Sequence, residues 1–104
     1  MFENFMNDTV EVLKTNGEKY ENVEVSVQSE IIYIQRSDVL IETGDLILRI
    51  MINGETETYQ VVDPGFNEAG SLLPAGYQIK HRKLGLPEVE KAIQKITDKL
   101  NGLN

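Results

Sequence analysis

The chain has 104 residues, no cysteine, one histidine and a formal net charge of −7 at pH 7. This is the length of one domain, and the absence of cysteine excludes disulfides, thiolate nucleophiles and cysteine-based metal sites. No apolar run reaches the roughly 18 residues of a membrane span. The first residues lack the basic and apolar regions of a signal peptide. We therefore expect a soluble, cytoplasmic protein whose residues 1–104 form one domain.

The charge is divided unevenly along the chain. Residues 1–79 carry four basic and fourteen acidic side chains, whereas residues 80–104 carry six basic and three acidic ones. A negative body repels phosphate, so binding of nucleic acid is not expected. The basic tail is interpreted either as a solvated helix face or as a contact for an acidic partner, which includes the body of a second copy.

The first elements are predicted to be a hairpin and a short strand. Apolar and polar residues alternate in 10–12 and in 23–27, on either side of Asn16-Gly17. Alternation with period two is typical of half-buried strands, and Asn-Gly is a preferred pair in two-residue turns. The β-branched run Ile31–Ile34 then predicts a third strand.

A second hairpin, a loop and a last strand follow. Alternating apolar residues run from 46 to 52, Asn53-Gly54 supplies the turn, and residues 59–61 return from it. We predict that Gly17 and Gly54 both have positive φ in type I′ turns. Residues 63–76 contain two prolines and three glycines, which predicts a loop. The last strand is predicted at residues 77–80 and ends before Gly85.

Residues 87–101 are predicted to form an amphipathic C-terminal helix, with Pro87 in its first turn. Its apolar side chains recur at alternating intervals of three and four residues: Leu86, Val89, Ile93, Ile96, Leu100 and Leu103. Such a seam either covers the sheet of its own chain or pairs with another chain. In both cases we predict that Ile93 and Ile96 are buried.

These elements predict a mainly β, α+β fold. The expected architecture is a small antiparallel curled sheet or open barrel of five to six strands at about residues 8–83, with the helix at its C-terminal end. The strand at 46–52 is apolar on both faces, so it needs a second cover, and the helix is the obvious candidate. The predicted interior consists of Val10, Val12, Val23, Val25, Val27, Ile32, Ile34, Leu48, Ile50, Tyr59, Val61, Tyr77 and Ile79.

No set of residues in the sequence forms a recognisable chemical site. His81 is the only histidine and is interpreted as a histidine at the rim of the core, between two basic neighbours, rather than as a general base. Asp63, Glu68, Glu55 or Glu57 could supply a carboxylate pair, but no spacing singles one out. We therefore expect no catalytic, cofactor-binding or metal-binding residues and no enzymatic activity.

Two segments of the sequence match a recognisable pattern. They are Tyr59-Gln60-Val61-Val62-Asp63-Pro64-Gly65-Phe66 and Tyr77-Gln78-Ile79-Lys80, placed after Gly44-Asp45 and Asn53-Gly54. In these segments the chain resembles a group of small uncharacterised bacterial proteins associated with prophages and mobile elements. A looser likeness, at the level of the fold, is to phage head–tail connector proteins, which are also about this size and β-rich. The resemblance implies a phage or mobile-element origin.

The expected function is that of a non-catalytic protein–protein interaction or assembly module, as a homo-oligomer or as an accessory to a larger machine. The alternatives are a connector-type structural component of a virion and a small ligand-binding or hydrolytic barrel that uses the 63–76 loop. The loop residues either plug the open end of the barrel or dock into a partner. The candidate interaction residues are Phe66, Leu72, Leu73, Val89, Ile93, Ile96 and Leu100.

Overall fold

The computed structural model describes residues 8–68 and 75–102, which form seven β-strands and one C-terminal helix. The mainly β fold and the C-terminal helix predicted from the sequence are confirmed. The elements are β1 Asp8–Leu13, β2 Lys19–Val27, β3 Ile31–Ile34, β4 Leu46–Ile50, β5 Thr56–Asp63, β6 Phe66–Asn67, β7 Gly76–Leu84 and α1 Leu86–Leu100. The described residues contain no helix that is long and apolar enough to cross a membrane.

Six of the strands close into an antiparallel barrel. The order is β3-β2-β1-β4-β5-β7, and β7 pairs back with β3, where Ile32 lies opposite Ile79. The short strand β6 follows β5 along the same edge of β7, with Phe66 opposite Tyr77. Closure of the sheet pairs the edges that an open sheet would leave free.

The two Asn-Gly turns have the predicted positive φ but not the predicted turn type. Gly17 has φ 92° and Gly54 has φ 88°, whereas the asparagine before each glycine has negative φ. A type I′ turn needs positive φ at both positions. In the first turn the backbone N–H of Lys14 donates to the Glu18 carbonyl at 2.8 Å, which closes a three-residue loop. Both hairpins therefore have three-residue loops that end in a left-handed glycine, and the prediction of two-residue turns is wrong.

The barrel interior contains most of the residues that alternation predicts. The residues that β4 supplies to it are not the predicted ones. Ile47 is fully buried inside the barrel because it lies opposite Val12 and Tyr59 and shares their face. Leu48 and Ile50, which were predicted to point inward, lie on the outer face, and Ile50 is exposed. Of the remaining predicted residues, Val27 is only partly buried. The buried interior consists of Val10, Val12, Val23, Val25, Ile32, Ile34, Val39, Ile41, Ile47, Tyr59, Val61, Tyr77 and Ile79.

A second, smaller cluster lies on the outside of the barrel. Its buried members are Leu46 of β4, Leu84 of β7 and Ile96 of α1. The partly buried residues packed against them are Leu13, Leu48, Val89 and Ala92. The prediction that the helix covers the strand at 46–52 is confirmed for Leu46 and Leu48, whereas Ile50 and Ile52 remain exposed.

We expect the first Asn-Gly turn to be coupled to the end of α1. A methyl group at Gly17 would lie 2.7 Å from the side chain of Leu100, whereas no atom lies within 4 Å of the equivalent position at Gly54. Gly17→Ala and Gly54→Ala should each cost about 1–2 kcal/mol because of their left-handed φ. Gly17→Ala should cost about 0.5–1 kcal/mol more, because Leu100 has to move away from the turn.

The measurement is urea unfolding of both single variants, repeated in a Leu100→Ala background as a double-mutant cycle. The extra cost of Gly17→Ala should disappear in that background, while the cost of Gly54→Ala should not change. An extra cost that persists without the Leu100 side chain would contradict the coupling.

Candidate interaction surface

Helix α1 leaves the barrel in a direction that is fixed by its first turn. Gly85 separates the helix from β7, and Pro87 occupies the first turn, where the missing N–H costs nothing. The Glu88 carboxylate accepts hydrogen bonds from the Gly85 N–H at 3.2 Å and from the Arg82 guanidinium at 2.7 Å. The hydrogen bond from Arg82, followed by that from Gly85, lowers the pKa of Glu88. The start of the helix is therefore held by charge-assisted contacts to β7.

One side of α1 faces the barrel. Ile96 is buried against Leu46 and Leu84, and Val89 and Ala92 are partly buried beside it. These helix residues are three, four and seven positions apart, so they share one side of the helix. This row attaches the helix to the barrel.

A second apolar row lies along the helix next to the first and remains at the surface. It consists of Leu86, Ile93 and Leu100, which are 70%, 38% and 63% exposed. Seven residues complete almost two turns, so these three side chains project in nearly the same direction. We call this row the helix shoulder.

The predicted seam is therefore divided between two environments. The prediction that Ile96 is buried is confirmed, whereas the prediction that Ile93 is buried is wrong. The physical reason is the shape of the barrel, since a straight helix on a convex surface contacts it only along a narrow stripe. Val89 lies with the attached row, and Leu100 lies on the shoulder while still contacting Gly17.

Further apolar side chains lie at the end of β4. Leu48 is partly buried, Ile50 is 72% exposed, and Ile52 in the following turn is fully exposed. Exposed apolar patches on a protein surface often mark interaction sites. The candidate interaction surface is the helix shoulder.

The predicted loop surface falls only partly within the described residues. Leu72 and Leu73 lie outside them. Phe66 is about half exposed, and its ring packs on Tyr77 with the ring centroids 4.9 Å apart. The expectation of an irregular loop over 63–76 needs correction, because Phe66–Asn67 form β6 and pair with the start of β7.

An open cleft of about 670 Å³ lies beside β6. Its polar groups are largely engaged within the chain. The Tyr77 hydroxyl donates to the Val39 carbonyl at 2.7 Å and accepts from the Ile41 N–H at 3.3 Å. Asp38 accepts two hydrogen bonds from Arg36, at 2.9 and 2.6 Å. These contacts hold the segment between β3 and β4 in place rather than presenting free groups to a ligand.

A buried ion pair fixes the end of the same segment. Lys14 and Asp45 are both buried, and the Lys14 ammonium donates to the Asp45 carboxylate and to the Leu40 carbonyl, the latter at 2.5 Å. It also lies 3.0 Å from Glu42 Oε1. Burial lowers the pKa of Lys14, but the hydrogen bonds that Lys14 donates to Asp45 and Glu42 outweigh this effect, and the pKa is raised. No sequence signal predicted this pair, because a lysine at a turn and an aspartate after a glycine are ordinary surface residues.

Charged residues also form a cluster at the rim where β1 begins and β4 ends. Arg49 Nε lies 2.6 Å from Asp8 Oδ2, and Lys83 Nζ lies 2.8 Å from Glu57 Oε2. The Tyr59 hydroxyl donates a hydrogen bond to Glu57. The hydrogen bonds from Lys83 and then Tyr59 lower the pKa of Glu57. The charged side chains at this rim are therefore paired with one another.

His81 lies next to this rim. It is opposite Val61 in the sheet, and its ring centroid is 4.8 Å from that of Tyr59. Both ring nitrogens are out of contact with solvent and have no hydrogen-bond partner among the described residues. Neither nitrogen therefore activates a nucleophile in the described structure. Within residues 8–68 and 75–102, no three His, Asp or Glu side chains are grouped to hold a metal ion.

Comparison with protein-family models, with curated protein sequences and with solved structures finds no match for this chain.

We predict that the buried ion pair is required for stability. Lys14→Met leaves the buried Asp45 carboxylate without its cation and should cost about 3–5 kcal/mol in urea unfolding. Adding Asp45→Asn to that variant should recover much of the loss, since the unpaired charge is removed. If Lys14→Met lowers the free energy of unfolding by less than about 1 kcal/mol, the Lys14–Asp45 pair behaves like an exposed ion pair, and the prediction is wrong.

Glu57 should make the stability depend on acidic pH. Its pKa in the fold lies below the usual value of 4.5, so the unfolded chain takes up the proton more readily than the folded one. The stabilisation is therefore present above that value and is lost as the pH falls through the folded pKa. Glu57→Gln should be less stable near neutral pH and should lose less stability on acidification.

The check is thermal unfolding between about pH 3 and pH 7, where carboxylates titrate. Glu55→Gln is the matched control, because Glu55 is exposed in the adjoining turn. Parallel pH profiles for the wild type and Glu57→Gln would show that the Lys83–Glu57 contact does not contribute.

Proposed function

We propose that this chain is a non-catalytic protein–protein assembly module of phage or mobile-element origin. The observation that carries the proposal is the helix shoulder, three apolar side chains in line on a helix that uses a different row to attach to its own barrel. Apolar side chains in such a row are suited to the core of a protein interface. The origin is supported by the resemblance of residues 59–66 and 77–80 to proteins of prophages and mobile elements.

The helix that carries the surface contacts the barrel at both ends, which suits an assembly role. Glu88 fixes the first turn of α1 against Arg82, and Leu100 packs over the turn at Gly17. Between these ends, Ile96 attaches the helix to the barrel. A partner would therefore meet a preformed row of side chains and would not have to order it, which lowers the entropic cost of binding.

The charges of α1 confine the apolar contact to the shoulder. Lys91, Lys95 and Lys99 are exposed and four residues apart, so they form a charged line on the far side of the helix. They keep that side solvated. A partner that binds through apolar contacts is thus directed to the shoulder.

The alternative of a ligand-binding or hydrolytic barrel has less support. The described part of the 63–76 loop contributes to the cleft beside β6, but its polar groups are largely engaged inside the chain. The Tyr77 hydroxyl is bonded to Val39 and Ile41. The Asp63 carboxylate accepts a hydrogen bond from the Gly65 N–H at 3.0 Å. A connector-type component of a virion is a special case of the assembly role.

The test is capture of partners by a tagged chain that is expressed with an untagged copy in its native cell. Wild-type chain should retain a protein, either the untagged copy or another one, and Leu86→Asp should lose it. Leu86→Asp should remain folded, because an acidic residue is favourable at a helix N-terminus. Val62→Asp is the matched control, since Val62 is an exposed apolar residue of β5 that is not part of the surface.

Capture that is equal for wild type and Leu86→Asp, with both variants folded by circular dichroism, would overturn the proposal. Loss of the captured protein in Val62→Asp as well would show that the helix shoulder is not the binding surface.

A further inference from the structure

We propose that the Asn53-Gly54 turn between β4 and β5 is a site of spontaneous backbone modification, at which Asn53 is converted to aspartate and isoaspartate through a succinimide. The turn between β1 and β2 contains the same three residues, but the side chains around it protect Asn16 from this reaction. The modification does not depend on the proposed function.

The two turns have the same sequence and the same backbone. Both read Asn-Gly-Glu, at residues 16–18 and 53–55. In each turn the glycine N–H donates to the carbonyl of the residue that starts the loop, Lys14 at 3.0 Å and Met51 at 2.8 Å. The φ angles of the two glycines are 92° and 88°. The sequence and the loop geometry therefore give both asparagines the same reactivity, and a difference between them has to come from the side chains around them.

The reaction is an attack by the backbone nitrogen of glycine on the side-chain carbonyl carbon of the preceding asparagine. A bond forms between the glycine nitrogen and asparagine Cγ, the Cγ–Nδ2 bond breaks, and Nδ2 leaves as ammonia with the proton of the glycine N–H. Water then opens the cyclic imide at either of its carbonyl carbons, which gives aspartate or isoaspartate. Glycine permits ring closure because it has no Cβ to obstruct it.

The side chain of Asn16 is held by a contact that Asn53 lacks. Oδ1 of each asparagine accepts a hydrogen bond from the N–H of the following glutamate, at 2.9 and 3.0 Å. In the first turn, Asn16 Nδ2 also donates to Glu18 Oε1 at 2.7 Å. In the second turn, the side chain of Asn53 is held through Oδ1 alone within the described residues. Attack on Asn16 has to break a charge-assisted hydrogen bond, and the new carboxylate would lie beside that of Glu18, where like charges repel.

The first turn is also covered, whereas the second is open. Gly17 is partly buried, and a methyl group on it would lie 2.7 Å from the Leu100 side chain. Gly54 is exposed, and no atom of the described residues lies within 4 Å of the equivalent position. Formation of the succinimide needs the glycine backbone to rotate, and its opening needs access of water. Leu100 obstructs both steps at Gly17.

Conversion of Asn53 to isoaspartate changes the β4–β5 hairpin in two ways. The main chain then runs through the side-chain carbons, so the loop gains one methylene group in its backbone. A carboxylate also replaces a neutral amide in a chain that already carries a net charge of −7. The free carboxyl group of isoaspartate is the chemical class of substrate for methyltransferases that use S-adenosylmethionine, so aged protein should accept a methyl group at this position.

The test is incubation of the folded protein in H₂¹⁸O at mildly alkaline pH, followed by proteolysis in ordinary water and mass spectrometry. Only asparagines that water opens during the incubation acquire the label. Each rate is divided by that of a synthetic peptide that spans the same turn. Asn53 should react several-fold faster than Asn16 on this scale. Glu18→Ala and Leu100→Ala should each speed the reaction at Asn16. Glu55→Ala is the matched control and should leave the rate at Asn53 unchanged.

Equal relative rates at Asn16 and Asn53 in the folded protein, or a faster reaction at Asn16, would overturn the proposal. Absence of label at Asn53 while its peptide reacts would overturn it as well, because the fold would then protect both turns. If neither Glu18→Ala nor Leu100→Ala speeds the reaction at Asn16, the contacts of Glu18 and Leu100 do not protect the first turn, and the proposal is wrong about the cause.

Discussion

The structure depends on one strand that has to bury both of its faces. In β4, Ile47 points into the barrel and Leu46 points out of it, and both side chains are almost completely buried. An antiparallel sheet commonly leaves one face to solvent. Here the outer face is too apolar for that, so the chain has to supply a cover, and α1 is that cover. The position of the helix, and with it the position of the shoulder, follows from this requirement.

A single helix cannot cover the outer face of a barrel completely. It contacts the convex surface along one row, in which Ile96 is buried, and the neighbouring row that ends in Leu86 and Leu100 remains outside. The groups that could have offered a competing site are engaged elsewhere. Lys14 and Asp45 neutralise each other in the interior, and Tyr77 bonds to the segment that crosses the end of the barrel. Among residues 8–68 and 75–102, the shoulder is therefore an apolar row that remains open to a partner.

Many of the strands and turns could be predicted from the sequence, because they depend on the pattern of neighbouring residues. The glycines of the two hairpins and the period-two alternation of β1, β2 and β7 each depend on neighbouring residues. The phase of β4 could not be predicted, since alternation cannot tell inside from outside in a strand that is apolar on both faces. The Lys14–Asp45 pair could not be predicted either, because it joins residues 31 positions apart. For the helix, spacing identified the seam, but only the curvature of the barrel decides that Ile96 is buried and Ile93 is not.

The central claim is that the helix shoulder is a contact surface for a protein partner. The most direct measurement is a pair of ¹H–¹⁵N spectra of the uniformly labelled protein, recorded alone and after addition of the protein that it captures. The amide signals of Leu86 and Ile93 should move, while that of Val62 should move much less. Signals that do not change, or changes centred on Phe66 and the cleft beside β6, would contradict the claim.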